Sequence, residues 1–125
     1  MAKFQLNLSD PESKRTHKIE IDDAVKTQYL IGKHLNEVID GSTLGFDGYS
    51  FRITGGSDGE GFPMNPSLPG SSRRRILTAG GIGYHPKRRG IRRRKSVRGN
   101  EIGEDIYQIN LRIEEKGPRP IEELL

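Results

Sequence analysis

The stretch YQINLRI, residues 107–113, alternates apolar and polar side chains more strictly than any other part of the chain. An apolar residue at every second position predicts a β-strand with one buried and one exposed face. The stretch KFQLNL, residues 3–8, repeats the pattern, with Phe4, Leu6 and Leu8 on one side. Two such strands near opposite ends of the chain predict a fold built mainly from β-structure.

More strands are predicted between these two. Alternating or short apolar stretches at residues 17–22, 49–53, 75–78 and 96–97 predict strands, and glycine-rich turns separate them. Several short strands with glycine turns are typical of small barrels. We therefore expect a mainly β fold, with a small barrel-like or strongly curved antiparallel sheet, one or two short helices and long basic loops.

The expected helices are short. Asp22 and Asp23 can cap a helix, and the apolar residues between Leu30 and Ile39 have helical spacing. The stretch Ile121–Leu125 at the end of the chain is predicted to form one helical turn.

Composition limits the class of protein. The chain has 125 residues, of which 31% are hydrophobic, so we expect one domain spanning residues 1–125 with a modest core. It has no cysteine, which excludes disulfides and cysteine zinc sites and fits a reducing compartment. No apolar run typical of a secretory signal or of a membrane span is present. These features predict a soluble intracellular protein.

Charge is strongly segregated along the chain. The whole sequence has 21 basic and 17 acidic side chains, yet residues 61–100 contain eleven basic residues and no acidic one. Cations this close together repel one another unless an anion lies against them, and the natural polyanion is RNA or DNA. The predicted phosphate-binding residues are Arg73, Arg74, Arg75, Lys87, Arg88, Arg89, Arg92, Arg93, Arg94, Lys95 and Arg98.

The basic segment, residues 71–100, favours RNA over duplex DNA. Arginine outnumbers lysine, and its guanidinium group binds phosphate through two parallel hydrogen bonds and can stack on a base. Gly90 and its neighbouring glycines argue against the regular helix that reads a DNA groove, whereas an irregular arm can thread between RNA helices. Tyr84 and His85 are predicted to stack on unpaired bases. The alternative is a solvated charged surface, although such surfaces usually mix both signs.

The glycine-rich stretch 54–64 does not fit a nucleotide-binding loop. A phosphate-binding P-loop needs a lysine and a hydroxyl residue after its last glycine, but Phe62 and Pro63 stand there. The carboxylates of Asp58 and Glu60 would also repel phosphate. A sharply turned connection, in which glycine allows positive φ angles, explains the composition better.

Neither catalysis nor metal binding is predicted. His17, His34 and His85 are far apart in sequence and lack metal-ligand spacing. Asp58 and Glu60 could form an acid–base pair, but a glycine-rich loop offers little to position them, and no serine has an obvious base. We expect no enzyme activity, no metal and no cofactor.

Two motifs resemble one protein family. The first comprises Gly55, Gly56, Asp58, Gly61, Phe62, Pro63 and Met64, after Thr54, and the second is Lys95-Ser96-Val97-Arg98-Gly99, preceded by Arg92, Arg93 and Arg94. Both are similar to signatures of the archaeal and eukaryotic small-subunit ribosomal protein "S six e" family, and the resemblance covers nearly the whole chain. Eukaryotic members carry a long basic carboxy-terminal helix, which this chain does not have, so it resembles the short archaeal form.

The resemblance implies a structural ribosomal protein that acts in translation and is located in the cytoplasm, in the ribosome. It implies a compact β-rich domain bound to the RNA of the small subunit, with neighbouring ribosomal proteins as further partners and no membrane or small-molecule substrate. We expect Asp58 and the glycines to fix a turn at residues 55–61, and Phe62 and Met64 to pack as anchors against the domain or the RNA. A general nucleic-acid-binding protein or chaperone not confined to the ribosome is the alternative.

Overall fold

A computed structural model describes residues 4–12, 14–82 and 84–118. Its elements, in chain order, are β1 (Phe4–Asp10), β2 (Arg15–Ile21), α1 (Ala24–Leu30), β3 (Val38–Asp40), a 3-10 turn (Gly41–Leu44), β4 (Ser50–Asp58), β5 (Arg73–Thr78), β6 (Arg93–Arg98) and β7 (Ile106–Glu115). The mainly β prediction is confirmed. The helical turn predicted at Ile121–Leu125 lies outside the described residues.

Five strands form one mixed sheet in the order β2-β1-β7-β4-β3. The two strands with the clearest alternation, β1 and β7, are central neighbours and run parallel, while the other pairs are antiparallel. The prediction of a small barrel-like or strongly curved antiparallel sheet was wrong for the described residues. Within these residues the sheet has two edges, β2 and β3; it neither closes nor curls strongly, and its β1–β7 pair is parallel. Alternation reports which side of a strand is buried, but it does not report which strands pair.

The core lies on one side of this sheet. Its buried side chains come from alternate positions of the strands and from the helix and loops that cover them: Phe4, Leu6, Leu8, Leu30, Phe51, Ile53, Ile109, Leu111 and Ile113, with Phe46 and Tyr49 packed edge-on or stacked around Phe51. The opposite side is polar. There Asn7 donates from Nδ2 to Oδ1 of Asn110 at 3.1 Å, on the neighbouring strand.

The start of β7 departs from the predicted pattern. Tyr107 was expected to alternate inward with Ile109, but it is 39% exposed, and Ile106 is buried instead. A register shift explains the difference, since Ser57 of β4 pairs with Gln108 whereas Asp58 pairs with Ile106. Such a bulge moves every side chain before it to the other side of the strand.

The helix is earlier and shorter than its apolar spacing suggested. Asp23 caps α1, as predicted, by accepting a hydrogen bond from the Val25 amide at 2.8 Å. The helical prediction from Leu30 to Ile39 was wrong beyond Leu30, because residues 38–40 form β3 and Ile39 pairs with Phe51. Tertiary pairing overrides a helical pattern that Gly32 already interrupts.

The basic segment folds as a two-stranded antiparallel ribbon of β5 and β6, called the ribbon below. The strands predicted near residues 75–78 and 96–97 are confirmed and are longer than expected. Of the predicted irregular arm, only the described residues that join these strands, 79–82 and 84–92, lie outside the ribbon ladder. The base of the ribbon is tied to the segment after β4, because the Arg98 amide donates to the Pro63 carbonyl at 2.8 Å and the Asn65 amide donates to the Arg98 carbonyl at 2.8 Å.

No helix within the described residues is both long enough and apolar enough to cross a membrane.

Candidate nucleic-acid interface

The family-like motif after β4 combines a strand end with a tight turn. Gly55 and Gly56 lie in β4 rather than in the turn, contrary to the expected 55–61 turn. A Cβ atom on Gly56 would lie 2.5 Å from the Gln108 carbonyl oxygen, so the close approach of β4 and β7 requires glycine there. The turn itself is narrower: Gly61 adopts a φ of 91°, which a residue with a side chain adopts only with strain.

Asp58 organises this turn with one carboxylate oxygen. Its Oδ1 accepts hydrogen bonds from the backbone amides of Glu60 at 3.0 Å and Phe62 at 2.9 Å. Met64, at the end of the motif, is buried in the core and donates its amide to the Gly56 carbonyl at 3.0 Å. In the structure, Asp58 therefore shapes the turn and Met64 packs in the core.

The second oxygen of Asp58 holds the base of the ribbon. Its Oδ2 accepts from Arg98 Nε at 2.8 Å and from Arg73 Nη2 at 3.1 Å. The two arginines lie directly opposite each other in the ladder, where like charges repel. The Asp58 side chain is only 1% exposed, so a buried carboxylate sits against two cations. We call Asp58, Arg73 and Arg98 the Asp58 clamp.

Further contacts hold both arginines of the clamp. Arg98 donates to the Ser71 carbonyl at 3.2 Å, and its side chain is 11% exposed. Arg73 also contacts Glu60 at 3.1 Å and lies 4.4 Å from the centre of the Phe62 ring. Phe62 is half-buried under this guanidinium group rather than packed in the core. The structure therefore gives Arg73 and Arg98 internal partners, which sequence reasoning did not anticipate.

The clamp controls the ionisation of Asp58. Burial alone would raise the pKa of this carboxyl group, but hydrogen bonds from Arg98, the Phe62 amide, Arg73 and the Glu60 amide outweigh it and lower the pKa from 3.8 to about 2. Asp58 is therefore ionised throughout the physiological range.

The lowered pKa predicts acid sensitivity. Because the folded pKa lies below the unfolded one, the unfolded state binds the proton first, and stability present above about pH 4 is lost as the pH falls toward 2. The shift corresponds to about 2 kcal/mol of unfolding free energy. Urea unfolding across this pH range should show the loss, and the Asp58→Asn variant should lack this part of it. Equal pH profiles for the two proteins would contradict the assignment.

The other nine basic residues of the segment have a different environment. All are exposed, and none has a described carboxylate within ion-pair distance. They are Arg74, Arg75, Lys87, Arg88, Arg89, Arg92, Arg93, Arg94 and Lys95; below, these nine are called the free cations. They line the ribbon and the segment that joins its strands, so the structure brings them together on one projecting element.

The two predicted stacking residues lie among the free cations. Tyr84 is half-buried and His85 is exposed. Together with Lys87, Arg93 and other residues they line a cavity of about 220 Å³. Lys95 Nζ lies 5.9 Å from the centre of the Tyr84 ring. Flat side chains and cations therefore share one concave surface, which suits a base and its phosphate.

A larger opening lies between the turn and the ribbon. It measures about 740 Å³ and is lined by Gly61, Phe62, Pro63, Arg75, Arg94, Lys95 and Ser96. We call it the Phe62 cleft. Sequence reasoning named six of these residues for other reasons but did not place them together, and it missed Ser96 as a candidate contact.

Among the described residues, no three His, Asp or Glu side chains are close enough together to hold a metal ion. The arrangement of charges instead resembles a polyanion-binding surface.

Comparison with known proteins assigns the family. The family model described as "Ribosomal protein S6e" matches residues 4–125. The chain belongs to the ribosomal protein S6e family. The family resemblance drawn from the two motifs is thereby confirmed.

Relatives align over nearly their whole lengths. A protein of Methanoculleus marisnigri named "Small ribosomal subunit protein eS6" is 48% identical over 98% of this chain and 92% of its own length. Proteins with the same name from Methanothermobacter thermautotrophicus and Methanococcoides burtonii are 48% and 44% identical, over 98% and 100% of this chain and 94% and 91% of their own lengths. These three relatives are archaeal.

Membership of the S6e family settles the broad role. The family is a structural component of the ribosome, so this chain has a structural role in translation and is not an enzyme. The expected cytoplasmic location in the ribosome is also confirmed by the archaeal relatives.

Proposed function

We propose that this protein is a structural constituent of the small ribosomal subunit that binds the subunit's RNA through the ribbon and its joining segment. One observation carries the proposal. Of the eleven predicted cations, two are ion-paired with Asp58 in the clamp, and the free cations have no described carboxylate within ion-pair distance. An RNA backbone supplies the missing negative charge.

The Asp58 clamp shows how one anion can bridge two arginines of the ribbon. At the base of the ribbon, a carboxylate bridges two arginines that face each other across the ladder. Farther along the same face of the ladder, Arg75 and Arg94 are diagonal neighbours, and neither has a described carboxylate within ion-pair distance. A phosphate group accepts hydrogen bonds from guanidinium in the same forked manner as a carboxylate. The outer ribbon therefore has the side chains for an anion bridge but lacks the anion.

The relatives also indicate the partners of this protein. The curated relatives are named as small-subunit proteins, and their alignment over nearly the full chain supports the same particle for this protein. We propose that small-subunit RNA is the main partner, with neighbouring small-subunit proteins on other surfaces. Tyr84 and His85 would stack on bases near the end of the ribbon.

A binding competition tests the proposal against a general nucleic-acid chaperone. Ribosomal placement predicts saturable binding to small-subunit RNA that excess unrelated RNA does not displace. If about six phosphates are neutralised, log affinity should fall with log salt concentration at a slope of about −4 to −5. Equal displacement by any polyanion would favour the chaperone, and a slope near zero would remove the electrostatic basis of the proposal.

A further inference from the structure

The Phe62 cleft is bounded by two rigid elements. On one side, the turn is fixed by the two amide hydrogen bonds to Asp58 Oδ1. On the other side is the ribbon, whose base is held by Asp58 Oδ2. One buried carboxylate therefore sets the distance between the walls. A cleft with fixed walls and a volume within the range of about 300–1,000 Å³ is typical of small-ligand sites.

The ribbon wall repeats the geometry of the clamp one step farther out. Alternate residues of a strand share a face, so Arg75 lies on the same face as Arg73. Arg75 pairs with Ser96, and Arg94 pairs with Leu77, which makes Arg75 and Arg94 diagonal neighbours on that face. Both line the cleft and both are exposed. Two guanidinium groups therefore line one cleft, next to the arginine pair that already holds the Asp58 carboxylate.

The opposite wall is apolar and flat. Phe62 lines the cleft beside Pro63, and the Arg73 guanidinium over its ring keeps the ring in place. Aromatic and proline surfaces suit the face of a nucleobase, and stacking tolerates any base. The hydroxyl of Ser96 adds a group that can both donate and accept a hydrogen bond. The nearby carboxylates of Asp58 and Glu60 are each paired with Arg73, so they do not oppose an incoming phosphate.

We propose that the Phe62 cleft binds one unpaired nucleotide of the RNA, with its base against Phe62 and Pro63 and its phosphate between Arg75 and Arg94. This inference rests on the proposed RNA-binding function and adds a specific subsite to it. Binding in the cleft would require an unstacked base, whereas phosphate contacts along the rest of the ribbon would not. A duplex holds its bases in stacked pairs, so only single-stranded or bulged RNA can fill the cleft.

Matched charge variants separate the cleft from general attraction. Arg74 and Arg75 are adjacent, exposed and equally charged, but their side chains leave the strand on opposite faces. The probe is a short single-stranded oligoribonucleotide carrying 2-aminopurine at one position, whose fluorescence changes on stacking. Arg75→Met should weaken binding by about tenfold, and Arg74→Met by about two- to threefold. A duplex of the same sequence should not distinguish the two variants.

An aromatic pair provides the second readout. Phe62→Leu should abolish most of the 2-aminopurine fluorescence change that the wild type shows in the cleft, whereas Arg75→Met at saturating RNA should retain part of it. Because Phe62 supports Arg73, thermal unfolding of Phe62→Leu is measured in parallel. If it is unstable, the Arg75→Met and Arg74→Met comparison decides alone.

The outcomes are distinct. If the wild type binds the oligonucleotide but Arg75→Met and Arg74→Met weaken it equally, the cleft proposal is overturned and RNA binding by the ribbon stands. If the wild type binds neither this probe nor small-subunit RNA, the proposed function fails, and the cleft proposal fails with it.

Discussion

Replacing Asp58 with alanine should lower the free energy of unfolding by about 3–5 kcal/mol. The substitution leaves Arg98, which is 11% exposed, without its principal anion, and it leaves Arg73 facing Arg98 across the ladder with nothing between them. It also removes the acceptor for the Glu60 and Phe62 amides, so the turn and the base of the ribbon should loosen together.

Urea unfolding near neutral pH measures this effect, and Asp105→Ala provides the control. Asp105 also contacts Arg98, at 3.5 Å, but its side chain is 78% exposed, so its loss should cost about 1 kcal/mol or less. Each of the two substitutions removes a carboxylate that contacts Arg98. A cost for Asp58→Ala no larger than that for Asp105→Ala would contradict the clamp.

Neutralising the outer ribbon should weaken RNA binding more than an equal change of charge on the five-stranded sheet. Replacing Arg74, Arg75, Arg93 and Arg94 with glutamine removes four free cations from β5 and β6. Each lost phosphate contact should cost about 0.7–1 kcal/mol, so affinity for small-subunit RNA should fall by about 10²- to 10³-fold. The salt slope should become shallower by about 3.

The same variant should not be less stable when free of RNA. These four side chains have no described carboxylate partner, so their removal relieves repulsion instead of breaking ion pairs. The matched control replaces Lys14, Arg15, Lys18 and Arg112, which are exposed cations on or beside the five-stranded sheet. Equal losses of affinity for the two variants would show that total charge, and not the ribbon, determines binding.

The sequence predicted the strands well because their signal is local. Phe4, Leu6 and Leu8 alternate within one strand, and Ile109, Leu111 and Ile113 within another, and all are buried as expected. Pairing partners have no such local signal. The parallel neighbours β1 and β7 are separated by almost the entire chain, so neither their contact nor the open shape of the sheet could be deduced from alternation.

The inward face of β7 shows a second limit. Tyr107 and Ile106 exchange places because β7 carries a bulge there, with Tyr107 as the extra residue opposite Ser57 and Asp58 of β4, and a bulge arises from pairing between distant segments. The prediction was therefore correct for the middle of the strand and wrong at its start.

The candidate site was predictable in composition but not in arrangement. A segment with eleven cations and no acid indicates a polyanionic partner whatever fold the chain adopts. The division of that run into two clamped arginines and nine free cations depends on Asp58, which lies 15 residues before Arg73 and 40 before Arg98. One sequence signal was available: Asp58 and Glu60 are acids in a glycine-rich motif just before the basic run. Its burial against the ribbon could be seen only in three dimensions.

A high-resolution map of the small ribosomal subunit containing this protein would test the central claim most directly. The account predicts RNA phosphates within hydrogen-bonding distance of Arg75, Arg94 and most other free cations, while Arg73 and Arg98 remain on Asp58. A map in which the ribbon projects into solvent, with its guanidinium groups away from any RNA, would contradict it.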